Sequence, residues 1–289
     1  MCRPHVVEFD EFDLYLIVRL VASAILGITL VASLTLGSRH KRVPMDVSGD
    51  YANLILRSFS PTEIGLIAPQ LEPVELPLRF SIEVPDTTIS HIFFLEDGIA
   101  STVGFIKPKH QIEVGIVGRE GMTGIPILLW SEQSPHATFM QVAGHGFRLS
   151  ADALRSAMAK SPSSHAILLR FVQTFMTQVS STALANGRAK LEPRLARWLL
   201  MVHDRSDGPK LRLTHEFVAV MLGVRRPGVT VAMQILEGNG LVRATRGLVH
   251  IVNRPGLIEL AGGSYGVPEA EYLRLTGDTL SRRADSRRL

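Results

Sequence analysis

The sequence predicts an α+β protein with a strand-rich N-terminal half, one long helix and a C-terminal winged helix-turn-helix. Three observations support this prediction. Short apolar runs alternate with turn residues as far as Ser150, an apolar repeat of helical spacing follows Ser161, and a basic hairpin follows two short helical segments after Leu213. With 289 residues, the chain is long enough for two modest domains.

The stretch from Leu213 to His250 predicts the helix-turn-helix. Thr214 is a favourable N-cap for a first helix, whose apolar residues recur at helical spacing. Gly223 can end that helix in a left-handed turn, and Pro227 suits the first turn of a second helix. Two short helices joined by a glycine-containing turn are typical of this motif.

The residues after the second helix predict a wing. Leu241–Arg243 and Leu248–Val252 are two short strand-like runs that flank the turn Ala244–Gly247. Residues 187–254 contain 12 Lys/Arg and 5 Asp/Glu, whereas the whole chain has a net charge of only +4. A basic C-terminal module on a slightly acidic remainder indicates nucleic-acid binding.

These residues, in this order, resemble the Crp/Fnr family of bacterial transcription regulators. The family pattern T-x(8)-G-x-x-R is matched by Thr214, Gly223 and Arg226, and the resemblance extends over roughly residues 50–260. The resemblance implies a homodimer that binds an inverted repeat in double-stranded DNA, with RNA polymerase as a further partner. It also implies that the strand-rich half is a β-roll, like the cyclic-nucleotide-binding jelly roll of the type members.

The second helix is expected to enter the major groove with its N-terminal residues at the base edges. We predict that Arg226, which stands at a base-contacting position of the family, reads a guanine through O6 and N7. Pro227 and Val231 stand where better-known members carry an acidic residue and a second arginine, so a different target site is implied. The other DNA-binding candidates are Arg225, Thr230 and Gln234 on the groove-facing side, and Thr214, Arg243 and Arg246 as phosphate contacts.

Ser161 and Pro162 predict the start of a long helix that ends near Lys190. An apolar set on this helix follows the 4-3-4 spacing of a coiled-coil seam, although an ordinary core helix would show the same pattern. The helix occupies the dimerisation position of the family. The predicted dimer contacts are therefore Leu168, Val172, Phe175 and Val179.

A candidate effector pocket follows from the resemblance and comprises Glu120, Gly121, His136 and Thr138. Nucleotide-binding members hold the ribose with a Gly-Glu pair and the phosphate with a downstream arginine. Here the pair stands at altered spacing, and residues 134–138 contain no arginine. Because a charge-assisted phosphate contact would be missing, we expect an unknown small-molecule effector, or none, rather than cAMP. A pocket filled by its own side chains fits the sequence equally well.

Residues 14–36 are apolar apart from Arg19 and are long enough to cross a bilayer. Acidic residues precede this segment and basic residues follow it, an order that would leave the C-terminal bulk in the cytoplasm. One interpretation is a membrane anchor on a tethered DNA-binding sensor. The other is a misassigned start, with translation beginning at Met45. Because the family is usually soluble, we prefer the second and expect a cytoplasmic protein.

The predicted organisation has five parts: an N-terminal extension (1–44), a β-roll sensor domain (45–160), a dimerisation helix (161–190), a winged-helix domain (191–262) and a flexible basic tail (263–289). With Cys2 as the single cysteine, the chain can form neither an intramolecular disulfide nor a four-cysteine iron–sulfur cluster. We predict no cofactor and no metal site.

Residues 262–266 match the G-x-S-x-G pattern of a nucleophile elbow. The catalytic histidine should follow that motif, but the last histidine, His250, precedes it. We therefore predict no enzymatic activity. A further alternative is a module that resembles a cyclic-nucleotide-binding domain and lacks specific DNA readout, but such a module would not need Arg226 or the basic wing.

Overall fold

The computed structural model describes residues 51–107 and 110–280. The apolar segment 14–36, Cys2 and residues 281–289 lie outside the described residues. No helix in the described ranges is long and apolar enough to cross a membrane.

Two antiparallel sheets form the β-roll domain, with the strand orders β1-β7-β3 and β2-β6-β4-β5. The strands are β1 (Glu72–Leu76), β2 (Ser81–Glu83), β3 (His91–Leu95), β4 (Ile99–Lys107), β5 (His110–Val117), β6 (Ala137–Val142) and β7 (Gly144–Ser150). Side chains from both sheets, among them Ile92, Phe94 and Met140, are fully buried in one apolar cluster. The predicted combination of a β-rich N-terminal half with C-terminal helices is confirmed.

The turn residues Glu96–Gly98, between two apolar runs, predict a β-hairpin, and this prediction is wrong. β3 pairs with β7, whereas β4 pairs with β5 and β6, so the turn carries the chain from one sheet to the other. The Glu96 carboxylate accepts hydrogen bonds from the backbone N–H groups of Ala52 and Asn53, at 2.7 and 3.0 Å. Turn residues specify a tight change of direction, but the pairing partner depends on contacts distant in sequence.

Four short helices belong to the described part of the β-roll domain. They are α1 (Leu54–Ser58), α2 (Pro61–Ile67), α3 (Ile125–Leu128) and α4 (Ala151–Lys160), with a single 3₁₀ turn at Ala68–Gln70. Ser60 is the N-cap of α2 and Pro61 its first residue, as a serine followed by a proline predicts. The Ser60 side chain accepts from the Glu63 N–H, and the Glu63 carboxylate accepts from the Ser60 N–H, which together form a capping box.

The long helix α5 spans Pro162–Arg188, with Ser161 as its N-cap. The residues predicted to form the dimer contact are not exposed side chains of this helix. Leu168 and Val172 are 1% and 4% exposed and belong to the core of their own protomer, and Phe175 packs against the same core. Val179 is half-buried. The 4-3-4 spacing therefore marks the face of α5 that packs on the β-roll, and Leu168 and Val172 are unavailable to a partner.

The winged-helix domain follows α5 after a two-residue break. It contains α6 (Leu191–Asp204), β8 (Lys210–Leu211), α7 (His215–Leu222), α8 (Arg226–Gly238), β9 (Val242–Thr245), β10 (Leu248–Ile251) and α9 (Arg254–Ala261). The three strands form an antiparallel sheet in the order β8-β10-β9. The sequence predicted the hairpin β9–β10 but missed β8, which is only two residues long.

The segment after residue 262 was predicted as part of a flexible tail, and its described part is structured instead. Gly262–Ser264 form a 3₁₀ turn and Val267–Thr276 form α10, which packs along α5. Tyr272 is 3% exposed and shares an apolar cluster with Leu54 and Leu280. Glycine and arginine in this segment suggested a tail, but the buried Tyr272 and the Tyr265 hydroxyl, which donates to Asp204 Oδ2 at 2.7 Å, anchor it.

Candidate nucleic-acid interface

Local sequence signals position the helix-turn-helix. The Thr214 hydroxyl oxygen accepts a hydrogen bond from the Phe217 N–H at 3.2 Å and caps α7. Gly223 ends α7 in the left-handed conformation, with φ 62°. Arg225 is the N-cap residue of α8, and Pro227 lies in its first turn. The apolar side chains of Val229, Ala232, Met233 and Leu236 are buried and hold α8 against the domain core.

A groove of about 610 Å³ runs between the start of α7, the outer face of α8 and the wing. Five of the seven predicted DNA-binding residues line it: Thr214, Arg226, Thr230, Gln234 and Arg246. The other two, Arg225 and Arg243, are exposed on the N-terminus of α8 and on β9 but do not line the groove. The structure thus brings most of the predicted set onto one surface.

Polar contacts inside the groove restrict what two of these residues can do. The Thr230 hydroxyl lies 3.0 Å from His215 Nδ1 and 3.2 Å from the Arg226 carbonyl oxygen, so it is engaged within the protein. Arg226 Nε lies 3.7 Å from the Glu216 carboxylate in a pair that is more than two-thirds exposed. Such an exposed pair is weak, so Arg226 can exchange Glu216 for another acceptor at little cost.

A hydrogen bond from the wing backbone to a side chain of α8 links the two elements. The Glu237 carboxylate accepts a hydrogen bond from the Ala244 N–H at 3.0 Å. This contact fixes β9 beside the groove and presents Arg246 at the turn, where Gly247 has φ 73°. A cationic side chain held on a tight hairpin is suited to a phosphate contact that sets register.

The winged-helix domain also packs on the β-roll domain through buried polar groups. Arg205 Nε donates to Glu120 Oε1 at 2.7 Å, and both side chains are at least 96% buried. Trp198 Nε1 donates to Glu113 Oε1 at 2.7 Å, and Ser101 Oγ donates to Glu113 Oε2 at 2.6 Å. Burial raises the pKa of Glu113 to about 7, although these hydrogen bonds and the nearby Arg197 act in the opposite direction.

The turn of the helix-turn-helix contributes to this contact. Gly223 lies against the side chain of Ile112 on β5, so closely that an added Cβ would lie 2.9 Å from Ile112 Cδ1. Ile99 and Ile116 of the β-roll domain belong to the same apolar cluster as the core of the winged-helix domain. The strand β5 therefore pairs within the β-roll sheet and also packs against the winged-helix domain.

The predicted effector residues do not converge on one pocket. Glu120 binds Arg205, and Gly121 packs so tightly on Phe171 that a Cβ there would lie 2.3 Å from the ring. Thr138 Oγ1 donates to the buried Glu83 carboxylate at 3.2 Å, and His136 lies beside Gly104. A cavity of about 250 Å³ next to α1 includes Glu120 but none of the other three.

Sequence reasoning missed His215 in the groove and the pairing of Glu120 with Arg205. His215 is the first residue of α7. The sequence pattern assigned a role to the neighbouring N-cap, Thr214, but none to His215. Glu120 and Arg205 are 85 positions apart, and no local pattern marks such a pair. A signal did exist for Trp198, one of only two tryptophans, because a buried indole N–H requires an acceptor.

A family model described as the Crp-like helix-turn-helix domain matches residues 193–260. Solved structures resemble the chain over most of their length. A CRP-family transcriptional regulator from Thermus thermophilus is 17% identical with a TM-score of 0.56, covering 67% of this chain and 99% of its own. FixK2 from Bradyrhizobium japonicum is 15% identical with a TM-score of 0.59, covering 67% and 98%.

The c-di-GMP-responsive global regulator CLP from Xanthomonas campestris is 15% identical with a TM-score of 0.54, covering 66% and 99%. At these identities the likeness concerns the fold. A comparison with curated proteins finds no significant match.

Proposed function

We propose that this chain, whose residues 193–260 match the Crp-like helix-turn-helix domain on a fold shared with Crp/Fnr regulators, is a sequence-specific DNA-binding transcription regulator. The groove between α8 and the wing carries the proposal. It brings Thr214, Arg226, Gln234 and Arg246 to one surface, and two of these residues, Arg226 and Gln234, lie on α8, whose other face is buried. A helix with this arrangement is the part of a helix-turn-helix protein that enters the major groove.

The contacts in the groove suggest a role for each residue. Arg226 reads a guanine after leaving Glu216, and Gln234 and Arg225 are the remaining polar side chains directed at base edges. Arg243, Arg246 and the Thr214 hydroxyl hold phosphates. We revise the role of Thr230, because its hydroxyl is bound to His215. It supports α8 and contacts no base.

We propose a homodimer in which α5 forms the contact between the protomers. The contact uses a different stripe of side chains from the one that the sequence predicts. The large apolar residues that α5 exposes are Leu169, Met176 and Leu184, at 39%, 58% and 69% exposed. The 7- and 8-residue spacings between them place all three near one side of the helix. Two copies joined there present two winged-helix domains to half-sites about 34 Å apart in an inverted repeat.

Regulation would require a shift between arrangements of the two winged-helix domains that do and do not fit this repeat. An effector of unidentified chemistry and RNA polymerase are the further proposed partners. A protein acting on DNA would work in the cytoplasm, under either interpretation of residues 14–36. We assign it no enzymatic activity.

The experiment that tests this proposal is selection of genomic DNA fragments bound by the full chain in the presence of competitor DNA. An enriched inverted repeat with half-site centres one helical turn apart is the expected result. The Arg226→Ala variant should lose that enrichment, and Arg188→Ala, which changes an exposed arginine outside the groove, should keep it. A folded protein that enriches no sequence, even with cell extract added to supply an effector, would contradict the proposal.

A further inference from the structure

The exposed face of α8 carries two parallel stripes of different chemistry. Arg226, Thr230 and Gln234 recur every four residues and line the groove. Pro227, Val231 and Ile235 recur at the same spacing one position further along. This second set is apolar and exposed, with Val231 at 55% and Ile235 at 42%. We call Pro227, Val231 and Ile235 the apolar stripe.

The domain core does not need the apolar stripe. Val229, Ala232, Met233 and Leu236 already fill the buried face of α8, each at most 1% exposed. Single exposed apolar residues are common on protein surfaces. Here three of them are aligned, and two stand in the N-terminal half of the helix, beside the arginine that is proposed to read a base. That part of a recognition helix approaches the base edges most closely.

The chemistry of this stripe selects one kind of base. Neither proline nor valine has a side-chain hydrogen-bond donor or acceptor. The thymine C5-methyl is the apolar group that the major groove presents, and apolar side chains recognise it. Cytosine or guanine opposite Val231 would present polar groups that the side chain could not satisfy, which costs affinity.

We propose that Val231, supported by Pro227, reads a thymine methyl about two base-pair steps from the base read by Arg226. This inference rests on the proposed function and specifies which base the site takes. Five positions of helix separate Val231 from Arg226, a rise of roughly 7.5 Å. That rise corresponds to about two base-pair steps of 3.4 Å each. The expected half-site therefore contains a thymine within about two steps of the guanine.

The test uses the full chain and the inverted repeat obtained by selection. Each thymine of the half-site is replaced in turn by deoxyuridine, which removes only the methyl group, and affinity is measured by fluorescence anisotropy at fixed salt. One replacement should weaken binding about fourfold per half-site, as expected for one buried methyl-sized group. The Val231→Ala variant should bind the thymine site about fourfold more weakly for each half-site and should no longer distinguish thymine from deoxyuridine there.

Val252→Ala is the matched control, because Val252 is 57% exposed and lies outside α8. It should bind both DNAs like the unchanged protein, and thermal melting should show all variants folded. If every thymine can be replaced without loss, or if Val231→Ala remains as sensitive as the unchanged protein, the inference is wrong and the proposed function stands. If Val231→Ala impairs transcription but not DNA affinity, the stripe binds a protein. If no site is selected, both proposals fall together.

Discussion

Arg205 of the winged-helix domain and Glu120 of the β-roll domain form an ion pair that is buried on both sides, with Nε 2.7 Å from Oε1. Arg205 also donates to the Met201 carbonyl, and Glu120 also accepts from the Gly118 N–H. Burial disfavours the charge on Arg205, but Glu120 and Asp204 outweigh it and raise the pKa of the guanidinium. The pair therefore ties the two domains together only while both partners are present.

Replacing Glu120 with glutamine should lower the free energy of unfolding by about 3 kcal/mol, because it leaves a buried guanidinium without its carboxylate. Urea denaturation measures this loss. Glu72→Gln is the control, since Glu72 binds Arg148 at 2.6 Å but both side chains are well exposed. It should cost about 1 kcal/mol or less. Equal losses in the two variants would show that the buried pair has no special role.

The same pair shows which contacts local sequence patterns cannot predict. Thr214, Gly223 and Pro227 predicted the helix-turn-helix because caps, left-handed turns and first-turn prolines act on their immediate neighbours. Glu120 was assigned to an effector pocket because the residues around it resemble a ligand-binding motif. Its actual partner, Arg205, is brought to it only by the packing of α6 on the β-roll domain. That packing depends on contacts spread over both domains.

The dimer contacts illustrate a related limit. Leu168 and Val172 have the spacing of a coiled-coil seam, but that spacing describes any face of a helix that meets an apolar surface. The β-roll domain provides the surface, so these residues are buried within one protomer. The sequence identified the helix and its apolar periodicity correctly. It could not show which of the two apolar stripes packs on the β-roll domain.

Glu113 should make the stability of the protein depend on pH. Its pKa is about 7 when buried among Ser101, Trp198, Arg197 and Arg205, against 4.5 for an ordinary glutamate. Between these values the folded state holds a proton that the unfolded state has released. Stability should therefore fall as pH rises from about 4.5 to 7 and then level off, by at most about 1.4 kcal/mol for each pH unit.

The measurement is urea denaturation of the unchanged protein and of Glu113→Gln at several pH values across this range. The variant keeps a side chain of the same shape but cannot ionise, so the part of the slope due to Glu113 should disappear. An identical slope in both proteins would show that Glu113 does not titrate in this window. Because Glu113 accepts from Trp198, tryptophan fluorescence provides a local readout of the same titration.

Gly223→Ala should destabilise the protein for two separable reasons. An alanine at φ 62° is strained, and its Cβ would press on Ile112 of the β-roll domain. Gly240→Ala is the matched control, because Gly240 has φ 68° but nothing lies within 4 Å of an added Cβ. We expect about 1–2 kcal/mol for the control and a larger loss for Gly223→Ala. Adding Ile112→Ala should reduce that excess. If the two glycine variants lose the same stability, the contact with Ile112 is not tight.

Changing Arg226 to alanine and changing Arg246 to alanine should weaken DNA binding in different ways. Arg226 is proposed to contact a base, so its loss should weaken binding to the selected site by about 1–3 kcal/mol, or about 5- to 150-fold, for each half-site and relax the preference at one position of each half-site. Arg246 is proposed to contact a phosphate at the wing. Its loss should weaken binding to all sequences alike and reduce the slope of log K against log salt by about 1 for each half-site.

The measurement is a titration of both variants with the selected DNA, and with each single-base change, at several salt concentrations. Arg188→Ala should retain both the affinity and the salt slope, because Arg188 is exposed at the end of α5 and outside the groove. If Arg226→Ala weakened all sequences equally, Arg226 would be a phosphate contact. The recognition of the base would then rest on Arg225, the N-cap residue of α8, or on Gln234, which is exposed on that helix.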